Sequence, residues 1–316
     1  MLIRMKNEEA AVHRGLLSRR SVLALLTAGA LAGCQSVPPA LPRTEPAPGP
    51  EPAPPAPPRP PRLGLALGGG AARGFAHIGV IQVLEEAGIR PDLVVGTSAG
   101  SLVAALYAAG RNGKELAALA QSMDEGAITD WAFPGRGLIR GEALARYVRE
   151  HTGQRAIEQM SLPLGIVATD LDSGVPVLFQ RGDTGAAVRA SSAVPAVFQP
   201  VKIGAREYVD GGLVSPVPVR FARQMGAELV LAVDISSPPD GAPTGDAFKI
   251  LMQTFSIMGK SINHFELRDA DVVVRPRLQG VGSADFAARS RAIAAGREAA
   301  QQVLLQLRAR TAALTR

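Results

Sequence analysis

Between residues 63 and 276, short apolar runs alternate with longer stretches in which apolar side chains recur every three or four positions. The runs at 63–67, 93–95, 162–170, 227–236 and 270–276 read as strands, mostly apolar on both faces as in a buried parallel sheet. Two further strands, 175–182 and 205–212, are bounded by turn residues, and Asp172-Ser173-Gly174 joins the first of them to 162–170. Helical spacing marks 74–86, closed by Gly88, and 99–109, closed by Gly110. It also marks 114–123, 141–150 and 246–268, and a tail from 283 that is rich in Ala and Arg. Strands alternating with helices predict an α/β domain with a mainly parallel central sheet. In 246–268, Phe248, Leu251, Met252, Phe255 and Met258 share helical spacing, which predicts a core-facing stripe, with a membrane- or acyl-facing surface as the alternative.

The first 62 residues follow other rules. In "SRRSVLALLTAGALAGC" the pair Arg19-Arg20 precedes twelve uncharged residues, 22–33. A helix of that length spans ~18 Å, short of the ~30 Å hydrocarbon core, so the segment reads as a signal h-region. Its arginine pair resembles a twin-arginine export signal, and Leu31-Ala32-Gly33-Cys34 resembles a bacterial lipobox. The resemblance implies a signal peptide over 1–33, cleavage before Cys34 and lipidation of its thiol. Gln35 after the cysteine, rather than Asp, favours a periplasm-facing outer-membrane anchor over the inner membrane. From 37 to 62 proline is dense enough to forbid helix and sheet ladders, so 34–62 reads as an anchor followed by a semi-rigid tether. The domain then occupies 63–282, with 283–316 as a terminal helix packed on it.

Composition narrows the class. With 47% apolar residues the chain can bury a sizeable core. Of its net charge of +6, half lies in the first 33 residues, aromatics make up 4%, and no basic patch is interleaved with them, so nucleic acid is not an expected partner. Cys34 is the sole cysteine, which excludes an intramolecular disulfide and a multi-cysteine metal site.

Chemistry concentrates at three places. "GTSAG" (96–100) fits G-x-S-x-G between a predicted strand and a predicted helix, the context of a nucleophile elbow: Gly96 and Gly100 permit the sharp bend, and the helix N-terminus places positive potential near Ser98. A base must take the serine proton. Of four histidines, His13 lies in the signal-like segment, His151 at a helix end facing solvent and His264 in the long helix. His77 follows the glycine run and reads as structural. Asp210 stands at the end of a strand, before Gly211 and Gly212, where open α/β sheets gather their chemistry. The third place is the glycine run in "LALGGGAARGFAHIGV" (65–80), a strand–loop–helix anion site.

"GGGAARG", "GTSAG" and "DGG", in that order, resemble the patatin-like phospholipase family, as do "IGV" after the loop and "RASSAVPAVFQPV" before "DGG". The resemblance covers about two-thirds of the chain. It implies a three-layer patatin-like fold with Ser98 on the elbow, and a Ser–Asp dyad of Ser98 as nucleophile and Asp210 as general base. It further implies an oxyanion hole from the N–H groups of Gly69, Gly70 and Ala71, with Gly68 and Gly74 framing the turn. The loop is spaced G-x-G-x-x-x-G, one residue longer than the usual form, which leaves open which N–H groups donate. Arg73 matches the family's basic position, either as a substrate contact or as a loop partner. Ser191 and Ser192 read as helix-end residues near the pocket, and Asp172 as a turn residue beside Asp170 rather than a metal ligand. The implied substrate is a membrane phospholipid or lysophospholipid, with no metal or cofactor.

Two other readings stand against this one. A nucleotide site would need Lys-Ser or Lys-Thr after the glycines, or an acidic residue ending the second strand; that strand ends in Gly96-Thr97-Ser98. A catalytically inactive, membrane-tethered scaffold would keep the fold without using the dyad.

Overall fold

The computed structural model describes residues 58–128, 130–131, 136–236, 245–282 and 284–316. The signal-like segment, Cys34 and the proline-rich stretch as far as residue 57 lie outside the described residues. The first half of the domain runs β1 (Leu63–Leu67), α1 (Phe75–Glu86), β2 (Leu93–Thr97), α2 (Ala99–Ala108), α3 (Gly113–Ser122), β3 (Gly137–Ile139), α4 (Glu142–His151), β4 (Leu164–Asp170) and β5 (Pro176–Phe179). The second half runs α5 (Thr184–Ser191), β6 (Ala196–Phe198), β7 (Val201–Ile203), β8 (Arg206–Asp210), α6 (Val219–Gln224), β9 (Leu229–Val233), α7 (Ala247–Glu266), β10 (Val272–Val274) and α8 (Arg289–Leu314).

The central sheet has the order β10-β9-β1-β2-β4-β8-β7, with β5 also on β4; the ladders from β10 to β4 are parallel and those of β5, β7 and β8 antiparallel. Strand alternation sends Leu65, Leu67, Leu229 and Leu231 into one core with α1, α2 and α8. The intervening Ala66, Val230 and Ala232 enter a second core with Val219, Phe221 and Ala222 of α6. Both faces of the central strands are therefore covered, giving three layers. The α1–α8 crossing is backbone-close: a Cβ on Gly296 would stand 1.9 Å from the Ala76 carbonyl oxygen, and one on Gly79 2.0 Å from that of Ile293.

One feature of β4 positions the site. β2 pairs residues 164–167 of β4, β8 pairs residues 168–170, and β5 pairs 166–169. Because β5 overlaps both of the others, it must occupy the opposite edge. β2 and β8 therefore meet end to end along a single edge, with Thr97 beside Val167 and Asp210 beside Ala168.

The structure departs from the sequence expectation in several places. The second strand continues through Thr97, and the helix expected over 141–150 runs from Glu142 to His151. The short strands β3 and β6 form a separate two-stranded ladder, and β7 forms a hairpin with β8; at three residues each, they are too short to show a period. The domain begins before residue 63, since Arg59 binds Glu228 through both guanidinium Nη atoms and the Arg62 N–H also donates to Glu228. The terminal α-helix starts at Arg289. Helix α7 departs most: of the expected core stripe, Phe248, Leu251 and Met258 are exposed and Met252 and Phe255 half-buried. Ile250, Ile257 and Phe265 are exposed as well, and the buried residues of the helix are polar, Asn263 and Glu266.

Candidate active site

Ser98 sits between β2 and α2 with φ 53° and ψ −125°, a strained conformation for a residue with a side chain. Close packing enforces it: a Cβ on Gly96 would lie 2.4 Å from the Gly100 carbonyl oxygen, and one on Gly100 2.1 Å from that of Leu67. The bend turns the hydroxyl toward the end of β8, and Ser98 Oγ donates to Asp210 Oδ2 at 2.6 Å. Asp210 Oδ1 accepts the Gly212 N–H at 2.6 Å, and Asp210 is itself buried. Burial lifts its carboxyl to about 6, with the hydrogen bonds from Ser98 and Gly212 opposing the rise. Here the meeting of β2 and β8 on β4 becomes chemistry, because it joins a serine and an aspartate 112 positions apart.

The glycine loop leaves β1 directly over this pair. The Gly68 N–H donates to Val233 O at 3.1 Å and the Gly69 N–H to Pro216 O at 2.9 Å. A Cβ on Gly69 would lie 3.1 Å from Ser98 Cβ, so the loop backbone rests against Ser98. Of the three expected oxyanion donors, Gly69 has its N–H engaged with Pro216, while the N–H groups of Gly70 and Ala71 have no partner among the described residues. Ala71 adopts φ 51°, and the chain then turns through Ala71–Gly74 into α1.

A patatin-like phospholipase family model matches residues 65–223, half of the chain, and takes in the loop, Ser98 and Asp210. The chain belongs to this family. Among its relatives, an uncharacterized NTE family protein of Mycobacterium tuberculosis is 41% identical over 189 residues, which are 59% of this chain and 52% of that protein. The mouse patatin-like phospholipase domain-containing protein 6 is 36% identical over 184 residues, 55% of this chain and 14% of that one. The chain spans about half the length of the mycobacterial relative. The crystal structure of VipD from Legionella pneumophila superposes with a TM-score of 0.54 at 14% identity, covering 78% of this chain and 67% of that one, a likeness of fold.

The other candidates lie around the Ser98–Asp210 pair. His77 is fully buried, and since a carbonyl only accepts, its Nε2–H donates to Gly68 O at 2.8 Å; burial holds its pKa at about 4. It is a neutral post under the loop and makes no bond to Ser98. Arg73 Nε donates to Gly70 O at 3.2 Å, a contact within the loop. His151 is half-buried rather than solvent-facing, stacked 4.1 Å from the Tyr147 ring. Asp170 accepts from Arg206 at 2.7 Å and from Ser173, contacts that hold it at about 2, and no metal-binding cluster occurs among the described residues.

Ser191 has a larger part than its helix-end reading suggests. Its Oγ accepts the Ser98 N–H at 2.8 Å and donates to Val167 O at 2.5 Å, tying the backbone of Ser98 to β4. Two further contacts had no sequence signal. Thr97 Oγ1 donates to Ser215 O at 2.9 Å, and Ser215 Oγ donates to the buried Glu266 at 2.5 Å. The partners are 118 and 51 positions apart in the chain, beyond the reach of any local pattern.

Proposed function

We propose that the chain is a serine acyl-ester hydrolase of phospholipase A or lysophospholipase type, working through Ser98 and Asp210. The observation that carries this reading is the 2.6 Å hydrogen bond from a strained, elbow-borne Ser98 hydroxyl to a buried carboxylate. Asp210 takes the Ser98 proton as Oγ attacks the ester carbonyl carbon. The resulting oxyanion is held by the N–H groups of Gly70 and Ala71, with the N-terminus of α2 adding positive potential. Collapse breaks the bond to the alcohol, which leaves with the proton from Asp210. Water, deprotonated by Asp210, then attacks the acyl-serine ester and frees the fatty acid, and the proton returns to Ser98.

The substrate proposed is a membrane phospholipid or lysophospholipid, met by a chain anchored through lipidated Cys34 on the periplasmic side of a bacterial outer membrane. The N-terminal sequence pattern supports the anchor, and the family supports the lipid. Ser98→Ala and Asp210→Asn are the direct test, assayed on a soluble short-chain ester. Both variants should lose at least ~10²-fold in kcat/KM while keeping the wild-type circular dichroism. Retained hydrolysis in Ser98→Ala would refute the assignment.

A further inference from the structure

Helix α7 buries the polar Asn263 and Glu266, half-buries Met252, Phe255 and Ile262, and turns a further set of large apolar side chains outward. Leu251, Met258 and Phe265 recur every seven residues and form one exposed stripe; Ile250 and Ile257 form a second beside it. Ala247, Thr254 and Ser261 lie between them on that face, and at its C-terminal end the Arg268 guanidinium stands 5.2 Å over the Phe265 ring, with His264 edge-on to it. Exposed apolar surface of this continuity marks a binding face.

Its surroundings select a lipid surface as the occupant. Along one flank Lys260, Arg268 and Arg275 line an open cleft of about 520 Å³, where Asp234, the one acid among the described residues of its wall, lies 3.6 Å from Arg275. An apolar face beside a cationic margin is complementary to a bilayer bearing anionic headgroups. The inner side of α7 leads to the dyad. A Cβ on Gly259 would lie 3.6 Å from Pro216, whose carbonyl holds the Gly69 N–H. Glu266 accepts from Ser215, whose carbonyl holds Thr97, the neighbour of Ser98.

We propose that α7 is an interfacial helix that docks the domain on an anionic phospholipid bilayer through its Leu251–Met258–Phe265 face. The proposal rests on the hydrolase reading only for what the docked site would act on; docking itself needs no catalysis.

The test uses the full chain carrying Ser98→Ala to prevent turnover, with Trp131→Phe and Met258→Trp so that the introduced indole on α7 is the only one. The chain is mixed with phosphatidylcholine–phosphatidylglycerol vesicles, with and without brominated acyl chains. The emission should shift to the blue and be quenched by bromine, and vesicles of phosphatidylcholine alone should require about tenfold more lipid for the same signal. Adding Phe265→Glu should weaken the signal about tenfold or more. Because the probe sits on α7, attachment through another segment does not reproduce it. Unchanged emission with every vesicle overturns the proposal. So does a dimer, seen by sedimentation, that Phe265→Glu dissociates without any bromine quenching, since the face would then belong to a second copy of the chain. Failure of the hydrolase reading is seen separately, as hydrolysis of the soluble ester surviving Ser98→Ala.

Discussion

Asp210 must accept a proton although an ordinary aspartate, near ~3.9, is a weak base. Burial changes that: its carboxyl rises to about 6, closer to the pH at which a base both stays ionised and pulls strongly. The base works only when deprotonated, so kcat/KM should rise with pH through an ascending limb near 6 and level off above it. A limb near 4 would mean that Asp210 is exposed in the working enzyme. A second residue-scale prediction concerns Ser191, whose hydroxyl satisfies both the buried Ser98 N–H and the Val167 carbonyl. Ser191→Ala should cost about 1–3 kcal/mol in urea unfolding and lower kcat more than it raises KM, because it loosens the nucleophile rather than the substrate. Ser98 and Asp210 were legible because each carries a local signature of glycines around a strand end. Ser191 was not: its partner lies 93 positions away, and nothing near it in sequence announces the bond.

At the scale of elements, the central strands and their helices followed from apolar period and glycine stops. Both faces of the parallel strands are buried, so their runs are continuous and easily read. The edge strands β3, β6 and β7 were lost because three residues carry no period and none is an unbroken β-branched run like Val272–Val274 of the equally short β10. Helix α7 shows a different limit. Periodicity reveals that a helix has an apolar face but not what covers it, and here the described protein leaves that face open. Packing between α1 and α8 gives the element-scale prediction. Gly296→Ala would drive a methyl group into the Ala76 carbonyl, and rigid backbone on both sides prevents relief by a rotamer change. The cost should be about 1–3 kcal/mol, read as a lower Tm with the pH profile of hydrolysis unchanged. An unaltered Tm would show that the two helices can separate freely.

Across the whole molecule, the site exists only because two strands from distant parts of the chain end on one edge of β4. Three short motifs revealed the ingredients in the sequence, and the family resemblance gave their roles. The register along β4 then showed why the parts meet, and the backbone bond from Gly69 to Pro216 narrowed the loop's free donors to Gly70 and Ala71. Neither detail has a signature in the sequence, since each depends on strands and loops that touch only in the folded domain. The central claim is that this meeting makes Ser98 a nucleophile with Asp210 as its base. Reaction of the folded chain with a fluorophosphonate, followed by peptide mass spectrometry, tests it most directly. A single adduct on Ser98 is expected, formed at least ~10²-fold more slowly in Asp210→Asn; an unmodified Ser98, or labelling at full rate without Asp210, would show that the pair is not a nucleophile and its base.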